Sequence, residues 1–306
     1  MKVLVTGGNG FIGGYVCERL AALGHQPIVF DRVLRADSEI GVDVVRGVDL
    51  GDVRNESSVF ESVYHADGVI HLAGVLGTQE TIANPRPAIE TNVLGSLNVF
   101  KACELHKKKC VYIAVGNHWM NNPYSITKTT AERFALMLNK ERGTQIAIVR
   151  GLNAYGPRQK AVPVRKIMPN FIIPALQNKP ITVYGDGSQV MDMIYVSDLA
   201  DILCRALLVE HWVYDRVFEA GTGRPTTVLQ IAEEVIRQTE STGSIRRVAM
   251  RPGEPDRSEV LGNPETLAPL YKSLRVPMVT LEDGIAQTID YYRRTFQQEK
   301  SSEVFA

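Results

Sequence analysis

The chain has 306 residues, 44% of them hydrophobic, and its 34 basic and 34 acidic side chains leave no formal net charge. This length is enough for one large or two modest domains with buried cores, and a neutral chain has no overall field to attract nucleic acid. Its four cysteines form no CxxC pair and have no partnering histidines, which argues against a zinc site and weakly favours a reducing compartment. No segment has the ~20 apolar residues of a membrane span, and no signal peptide precedes the first strand pattern, so we expect a cytoplasmic protein.

Short apolar runs alternate with helical patterns through the first half of the chain. Five of these runs have the pattern of buried strands: Lys2–Thr6, Gln26–Asp31, Gly68–Leu72, Cys110–Val115 and Ile146–Arg150. Strands that alternate with helices form parallel sheets with helices on both faces. The sequence therefore predicts an α/β fold with a doubly wound parallel sheet of the Rossmann type.

The second half of the chain is less regular. Four prolines interrupt residues 162–180, which we interpret as a loop-and-helix insertion. Helical patterns follow at Asp198–Glu210, Val228–Thr239 and Asp283–Phe296. We predict a dinucleotide-binding domain over residues 1–165, rejoined by about 194–216, and a smaller mixed substrate domain over 166–306.

Three glycines follow the first strand and precede a helix. Gly7, Gly10 and Gly13 form a GxxGxxG pattern, in which the first permits a tight turn, the second admits a pyrophosphate and the third allows close helix packing. The helix starts near Phe11 and Ile12, where free N–H groups and the positive dipole end favour phosphates. The pattern predicts a dinucleotide site, against the simpler interpretation of a structural turn.

Asp31 ends the second predicted strand. A carboxylate at this place can accept both ribose hydroxyls of the adenosine and would repel a 2′-phosphate, so NAD is favoured over NADP. The adjacent Arg32 keeps the NADP interpretation open.

Tyr124 and Lys128 are four residues apart and therefore share one face of a predicted helix. A tyrosine with its ordinary pKa of ~10 is a poor base at neutral pH. A neighbouring ammonium favours the phenolate, so we expect Lys128 to bring the pKa of Tyr124 toward the working pH. The same lysine can hydrogen-bond the ribose next to the nicotinamide.

Together these motifs resemble the extended short-chain dehydrogenases/reductases, in particular the NAD-dependent sugar-nucleotide epimerases and dehydratases. The likeness extends over nearly the whole chain. Besides the Tyr124–Lys128 pair it is carried by TGGNGFIGGYV at 6–16, HLAG at 71–74, TNVLG at 91–95, RGLNAYGPR at 150–158, YGDGSQ at 184–189, YVSD at 195–198 and RPGEPD at 251–256.

The resemblance implies an enzyme in which Tyr124 takes a proton from a sugar hydroxyl as hydride passes to NAD, followed by alteration of the keto-sugar and return of the hydride. The substrate would be a nucleotide-diphosphate sugar. Further roles are implied for adenine contacts at Asp49 and Leu50, for cofactor contacts at Leu72, Ala73, Gly74 and Asn92, and for substrate contacts at Gly116, Asn153, Val183, Tyr184, Arg251 and Asp256. Relatives dimerise through two helices, here about 87–105 and 124–141, so we expect a homodimer that binds neither nucleic acid nor a membrane.

The sequence departs from the family pattern after the strand that ends at Val115. Gly116 stands where relatives carry a Ser or Thr hydroxyl, and loss of such a donor could cost ~3 kcal/mol of transition-state stabilisation. Asn117 and His118 stand where dehydratases carry an acid and a base. His118, with an ordinary pKa of ~6.5, can transfer a proton; it either acts on a carbon next to the ketone or simply hydrogen-bonds a loop carbonyl.

A second departure is Met191, where similar proteins commonly have an arginine that binds the diphosphate. Its absence shifts phosphate recognition onto Arg251, Arg158 or Arg165, or indicates a different substrate head group. Met191 itself is expected to pack against other side chains.

The leading hypothesis is a nucleotide-sugar epimerase that inverts C4 through a transient keto-sugar. The alternatives are a dehydratase or a C5/C3 epimerase that uses His118, and a keto-sugar reductase. Gly116 and Met191 also keep open a non-catalytic NAD-binding regulator. His71 is expected to have a structural role, and the sequence indicates neither the nucleotide, nor the sugar, nor the altered carbon.

Overall fold

The computed structural model describes residues 1–33, 48–210, 213–267 and 278–303. In chain order the strands are β1 (Lys2–Thr6), β2 (Gln26–Asp31), β3 (Val48–Leu50), β4 (Gly68–His71), β5 (Lys109–Val115), β6 (Ile146–Gly151), β7 (Asn153–Tyr155), β8 (Ile181–Tyr184), β9 (Val190–Met191), β10 (Met193–Tyr195), β11 (Val217–Ala220), β12 (Thr226–Thr227), β13 (Ile245–Val248) and β14 (Glu259–Val260). The helices are α1 (Phe11–Ala22), α2 (Glu56–Tyr64), α3 (Arg86–Ala88), α4 (Ser96–Leu105), α5 (Pro123–Arg142), α6 (Ile167–Leu176), α7 (Val196–Leu208), α8 (Val228–Thr239) and α9 (Leu281–Glu303), with a π-helix at Ile89–Gly95 and a 3-10 helix at Pro264–Leu267.

The main sheet has the strand order β11-β6-β5-β4-β1-β2-β3, and each neighbouring pair is parallel. The chain starts near the middle and builds outward in one direction and then the other, which is the predicted doubly wound arrangement. Alternate residues of β1 explain the two layers: Val3 and Val5 pack toward α1 and α7, whereas Leu4 packs toward α2, α4 and α5.

The edge strand β3 was not predicted. It spans three residues and pairs with β2, so that Asp31 lies beside Leu50. The topology reverses between β1 and its two neighbours, β2 and β4. In doubly wound sheets ligands bind at the carboxyl edge next to such a reversal, and the loops at this edge carry the predicted site.

A second unit packs around its own apolar core. This core includes Met168 of α6, Val183 of β8, Ile231 of α8 and Ile285 of α9. Helix α7 packs on α1 in the main layer, and β11 adds to the main sheet beside β6. The segment that returns to the first domain therefore runs to Ala220, beyond the end predicted near residue 216.

The described residues include no cluster of histidine, cysteine and acidic side chains that could hold a metal ion. All four cysteines are buried and free. Within the same ranges, no helix has the length and apolarity to cross a bilayer.

Candidate active site

The glycine turn after β1 leaves no room for side chains. Gly7 has φ +69°, and its N–H donates to the carbonyl of Phe30 over 2.8 Å. A Cβ on Gly7 would lie 2.8 Å from the backbone nitrogen of Ala73, and a Cβ on Gly13 would lie 2.2 Å from the carbonyl oxygen of Gly7. Glycine therefore lets the turn lie against both the chain after β4 and the start of α1.

Helix α1 begins directly after this turn, with Gly10 as its N-cap and no side-chain hydrogen bond on its first N–H groups. Those groups, at Phe11, Ile12 and Gly13, have no intrahelical acceptor, because the first intrahelical bond runs from the Gly14 N–H to the Gly10 carbonyl. A helix end of this kind, against a glycine turn, fits the phosphates of a dinucleotide.

The end of β2 offers the ribose and adenine contacts that a dinucleotide needs. The carboxylate of Asp31 accepts the N–H of Asn9 over 3.1 Å and that of Val33 over 3.4 Å. Leu50, its register neighbour on β3, is 62% exposed, and Val33 is 52% exposed, so apolar surface flanks the acid. Arg32 is exposed, and the side chain of Asp49 lies outside the described residues.

His71 is held in a buried chain of hydrogen bonds at the end of β4. Its Nδ1 lies 2.6 Å from the hydroxyl of Thr6, and its Nε2 lies 2.9 Å from the hydroxyl of Ser96. Since Ser96 donates its own proton to the carbonyl of Asn92, Nε2 must be the donor and Nδ1 the acceptor. Burial, followed by the charge of Lys128, lowers the pKa of His71 to about 3, so this neutral histidine has the expected structural role.

Asn92 links the chain after β4 to the helix that carries Tyr124. Its buried amide accepts the N–H of Val75 over 2.7 Å, donates to the Val75 carbonyl over 3.0 Å and donates to the hydroxyl of Thr127 over 3.0 Å. These bonds occupy the amide, so the structure gives Asn92 a positioning role for the partly buried segment at residues 72–74. Contact of Leu72, Ala73 and Gly74 with the cofactor stays a prediction.

Helix α5 carries Tyr124 in its first turn and Lys128 one turn later. The Lys128 ammonium lies 4.2 Å from the centroid of the Tyr112 ring, and the Tyr112 hydroxyl donates to the Lys128 carbonyl over 3.0 Å. Burial lowers the pKa of Lys128 to about 7, against an opposing effect of Glu132. At neutral pH the lysine is thus only partly charged.

The expectation that Lys128 lowers the pKa of Tyr124 is wrong for the protein without ligands. Burial raises the pKa of Tyr124 to about 12, because a phenolate loses its hydration in the interior. Lys128 cannot compensate, since burial removes much of its own charge. Tyr124 is therefore a neutral phenol at neutral pH.

Gly116 follows β5 at a place that neighbouring side chains fill. A Cβ here would lie 2.5 Å from Cδ1 of Leu152 and 3.1 Å from Cγ1 of Val260. A serine or threonine would displace one of them. The missing hydroxyl is thus replaced by an apolar contact, and a direct role of Gly116 in substrate binding stays a prediction.

His118 lies in the turn between β5 and α5. Its Nδ1 is 3.1 Å from the carbonyl oxygen of Gly116, and its own carbonyl accepts the hydroxyl of Thr129 over 3.2 Å. Because a carbonyl only accepts, Nδ1 carries a proton and Nε2 of the neutral ring is an acceptor. His118 thus bonds to a loop carbonyl, and whether it also acts in catalysis stays a prediction. The amide of Asn117 lies 3.5 Å from the sulfur of Met120.

Asn153 is fixed at the boundary between the two units. Its backbone N–H and its side-chain amide each donate to the carbonyl of Asp192 over 3.1 Å. The Asp192 carboxylate is fully buried and accepts the N–H groups of Thr222, Gly223 and Gly262 over 2.8, 2.9 and 3.1 Å. This network places β7 and the loops around it next to Gly116.

Arg251 and Tyr184 form the start of an anion site on the second unit. The Arg251 guanidinium lies 5.1 Å from the centroid of the Tyr184 ring and pairs with the carboxylate of Glu254. Among the described residues, its buried Nε has no hydrogen-bond partner. An unpaired buried donor on a cation fits an anionic ligand such as a diphosphate.

Two further cations stand beside this pair. Arg165 donates a hydrogen bond to the hydroxyl of Tyr184. Lys166 precedes α6, and burial lowers its pKa, with opposing effects of Glu80 and Glu254 and a further lowering by Arg251. The sequence analysis did not identify Lys166, because only the fold brings the start of α6 next to Arg251.

Several predicted residues are not brought to this site. Val183 is fully buried and its side chain packs in the core of the second unit, so contact of this segment with substrate stays a prediction. Arg158 pairs with Glu18, and Met191 packs against the second core, as expected. Asp256 is exposed, and its carbonyl accepts a bond from Gln189 over 2.8 Å.

Comparison with known proteins identifies the family of this chain. The model of the NAD dependent epimerase/dehydratase family matches residues 3–213. The chain is 28% identical over 316 residues to UDP-N-acetyl-alpha-D-glucosaminuronate decarboxylase of Bacillus cytotoxicus, covering 95% of this chain and 98% of that protein. It is 26% identical over 317 residues to a putative UDP-glucose 4-epimerase of Methanocaldococcus jannaschii, with the same coverage of 95% and 98%.

Solved structures show the same architecture. The UDP-glucose 4-epimerase of Thermus thermophilus in complex with NAD superposes with a TM-score of 0.84 at 26% identity, covering 96% of this chain and 99% of that one. The UDP-glucose 4-epimerase of Thermotoga maritima with UDP-glucose gives 0.83 at 26% identity, covering 97% and 100%. The predicted family, Rossmann-type fold and NAD cofactor are confirmed. The chain belongs to the NAD-dependent epimerase/dehydratase family and is an enzyme that uses NAD.

Proposed function

We propose that the protein inverts C4 of a UDP-bound hexose through a transient 4-keto sugar. The observation that carries this proposal is the placement of Tyr124 and Lys128 on α5, which follows β5 at the sheet edge that holds the glycine turn. Arg251, with its unpaired buried Nε, supplies an anion contact on the second unit. The similarity to two UDP-glucose 4-epimerases of known structure supports the choice of substrate.

In this reaction Tyr124 accepts the proton of the sugar 4-hydroxyl and returns it after C4 has been inverted. Bound NAD would supply the acceptor and later the donor of the C4 hydride, together with a cationic charge that favours a phenolate at Tyr124. Lys128 supports the same phenolate when it is protonated. The glycine turn and Asp31 hold the cofactor, while Arg251 and Lys166 hold the diphosphate.

A second candidate is an enzyme that also removes a carbon-bound proton next to the ketone. The observation that favours it is His118, whose Nδ1–H is held by the Gly116 carbonyl, so that Nε2 is free to act as a base. Such chemistry would give a C5 or C3 epimerase or a dehydratase. The decarboxylase among the similar proteins adds UDP-uronic acids to the substrates to be tested.

The experiment is a screen of the NAD-loaded protein with UDP-glucose, UDP-N-acetylglucosamine and UDP-glucuronic acid in heavy water. The proposal predicts a C4 epimer without deuterium on carbon, because the transferred hydride never exchanges with solvent. Deuterium at C3 or C5 would favour the His118 chemistry, carbon dioxide release would indicate decarboxylation, and net loss of added NADH would indicate a reductase. If no UDP-sugar is changed, the proposal fails.

We also propose a homodimer formed through the π-helix and α5. Ile89, Ile126 and Met137 are apolar and 47%, 51% and 41% exposed, and the two helices pack side by side. Exposed apolar residues grouped on one side of a molecule are typical of protein interfaces. A cytoplasmic location, which cell fractionation would test, stays a prediction.

A further inference from the structure

Asn122 contacts both the helix that carries Tyr124 and the segment that carries Arg251. It is the N-cap of α5, and its side-chain oxygen accepts the N–H of Ser125 over 2.9 Å. Its side-chain nitrogen donates to the carbonyl of Gly253 over 3.3 Å. The residue is 1% exposed, so both bonds lie in the interior.

The orientation of this amide is fixed by chemistry. The Ser125 N–H can only donate, so the atom facing it must be the amide oxygen. The amide nitrogen then faces the Gly253 carbonyl, which can only accept. The two bonds therefore support each other, and a flipped amide would break both.

The segment at residues 251–254 is held from three sides. The Glu254 carboxylate pairs with Arg251 and accepts the hydroxyl of Thr78 over 2.8 Å. Gly253 has φ +82°, and a Cβ on it would lie 2.9 Å from Cδ1 of Ile82 and 3.1 Å from the Thr78 carbonyl. Asn122 closes the third side. A shift of the segment is thus passed to the first turn of α5.

We propose that Asn122 is a positioning residue that couples diphosphate binding at Arg251 to the alignment of Tyr124. Asn122 is two residues before Tyr124 and bonds to the residue two positions after Arg251. A diphosphate that fixes Arg251 also fixes the Gly253 carbonyl, and through Asn122 it fixes the first turn of α5. This coupling rests on the proposed nucleoside-diphosphate substrate. The structural link, which is the hydrogen bond from Asn122 to the Gly253 carbonyl, does not depend on that proposal.

The test uses Asn122→Asp in the full-length protein. Aspartate keeps an oxygen acceptor for the Ser125 N–H and caps helices as well as asparagine does, but it cannot donate to Gly253. The control for the cap bond alone is Asn55→Asp, since the exposed Asn55 caps α2 through the same type of bond, to the N–H of Ser58 over 3.2 Å.

The first measurement is amide hydrogen exchange without ligand. We expect faster exchange of residues 250–256 in Asn122→Asp, unchanged exchange of the Ser125 amide, and no change in either region in Asn55→Asp. If residues 250–256 exchange at the same rate in Asn122→Asp as in wild type, Asn122 does not hold this segment. This result does not depend on turnover, so it separates the link from the proposed function.

The second measurement is turnover of UDP-glucose by the NAD-loaded variants. Since the carboxylate of Asn122→Asp faces the Gly253 carbonyl without a hydrogen bond, we expect kcat to fall by about tenfold or more, with KM within about twofold. Arg251→Gln should reduce this effect of Asn122→Asp on kcat, because the coupled anchor is then absent. An equal loss in both backgrounds would overturn the coupling, and failure of wild-type protein on UDP-sugars would count against the proposed function alone.

Discussion

Burial sets the pKa of both Tyr124 and Lys128. The Lys128 ammonium packs on the Tyr112 ring, and burial lowers its pKa to about 7 while raising that of Tyr124 to about 12. The helix therefore carries a neutral phenol one turn before a partly neutral amine.

The lowered pKa of Lys128 predicts a pH-dependent stability. Between pH 7 and about 10.5 the unfolded chain holds a proton that the folded protein has released, so the free energy of unfolding should rise with pH at up to about 1.4 kcal/mol per unit. Denaturant titrations of wild type and Lys128→Met at pH 7, 8 and 9 would check this. The free energy of unfolding of wild type should increase relative to that of Lys128→Met as pH rises. An equal dependence on pH in both proteins would contradict the lowered pKa of Lys128.

The packing at Gly116 gives a second prediction at the residue scale. Gly116→Ser should lower the free energy of unfolding by about 1–3 kcal/mol, the usual cost of overpacking, because its Cβ would lie 2.5 Å from Leu152. Adding Leu152→Ala should recover part of this loss, measured by denaturant titration against Leu152→Ala alone. Additive effects of the two changes would show that they do not compete for space.

The residues that sequence predicts best here are those whose chemistry depends on local spacing. The glycines of the turn and the Tyr124–Lys128 pair lie within single short segments, so their spacing is visible in one dimension. Lys166 and Leu152 act through neighbours far along the chain. The pKa of Tyr124 was predicted in the wrong direction because burial, which the spacing does not reveal, outweighs the neighbouring amine.

The start of α1 packs closely against the glycine turn, and a substitution at Gly13 tests this packing. Gly13→Ala would place a methyl 2.2 Å from the Gly7 carbonyl oxygen, so the helix must move away from the turn. We expect NAD affinity, measured by calorimetry, to fall at least about tenfold, the equivalent of ~1.4 kcal/mol. NAD affinity in Gly13→Ala equal to that of wild type would count against this explanation.

Regular elements were predicted where the pattern is strong. The bounds of β1, β2 and α8 match the sequence interpretation, because apolar periodicity and turn residues agree there. β3 was missed because three residues show no periodicity. The π-helix at Ile89–Gly95 was also missed, since such turns are rare and have no distinctive sequence pattern.

At the scale of the whole molecule the site lies between two separately packed units. The cofactor residues belong to the doubly wound sheet, whereas Arg251 and Tyr184 belong to the second unit with its own core. The sequence predicted two domains, with residues of about 194–216 rejoining the first one, and this range stops before β11. That strand follows α7 and is four residues long, so only its pairing with β6 assigns it to the main sheet.

If the proposed dimer forms, one substitution in its interface should convert the protein to a monomer. Ile126→Glu should convert the protein to a monomer, since it places two charges of like sign in one symmetric apolar interface. Light scattering with size-exclusion chromatography measures the mass. Val162→Glu is the control, because Val162 is 71% exposed and lies outside α5 and the π-helix; a monomeric wild type, or a dimeric Ile126→Glu, would contradict the interface.

The whole account depends on Tyr124 as the base that opens the reaction, and single-turnover absorbance of the cofactor tests this directly. NAD-loaded wild type mixed with UDP-glucose should show transient reduced nicotinamide, and Tyr124→Phe should slow its appearance by roughly 10²–10⁴-fold while its affinity for UDP is retained. Transient reduction at the wild-type rate in Tyr124→Phe, or its absence in wild type with every UDP-sugar, would contradict the account.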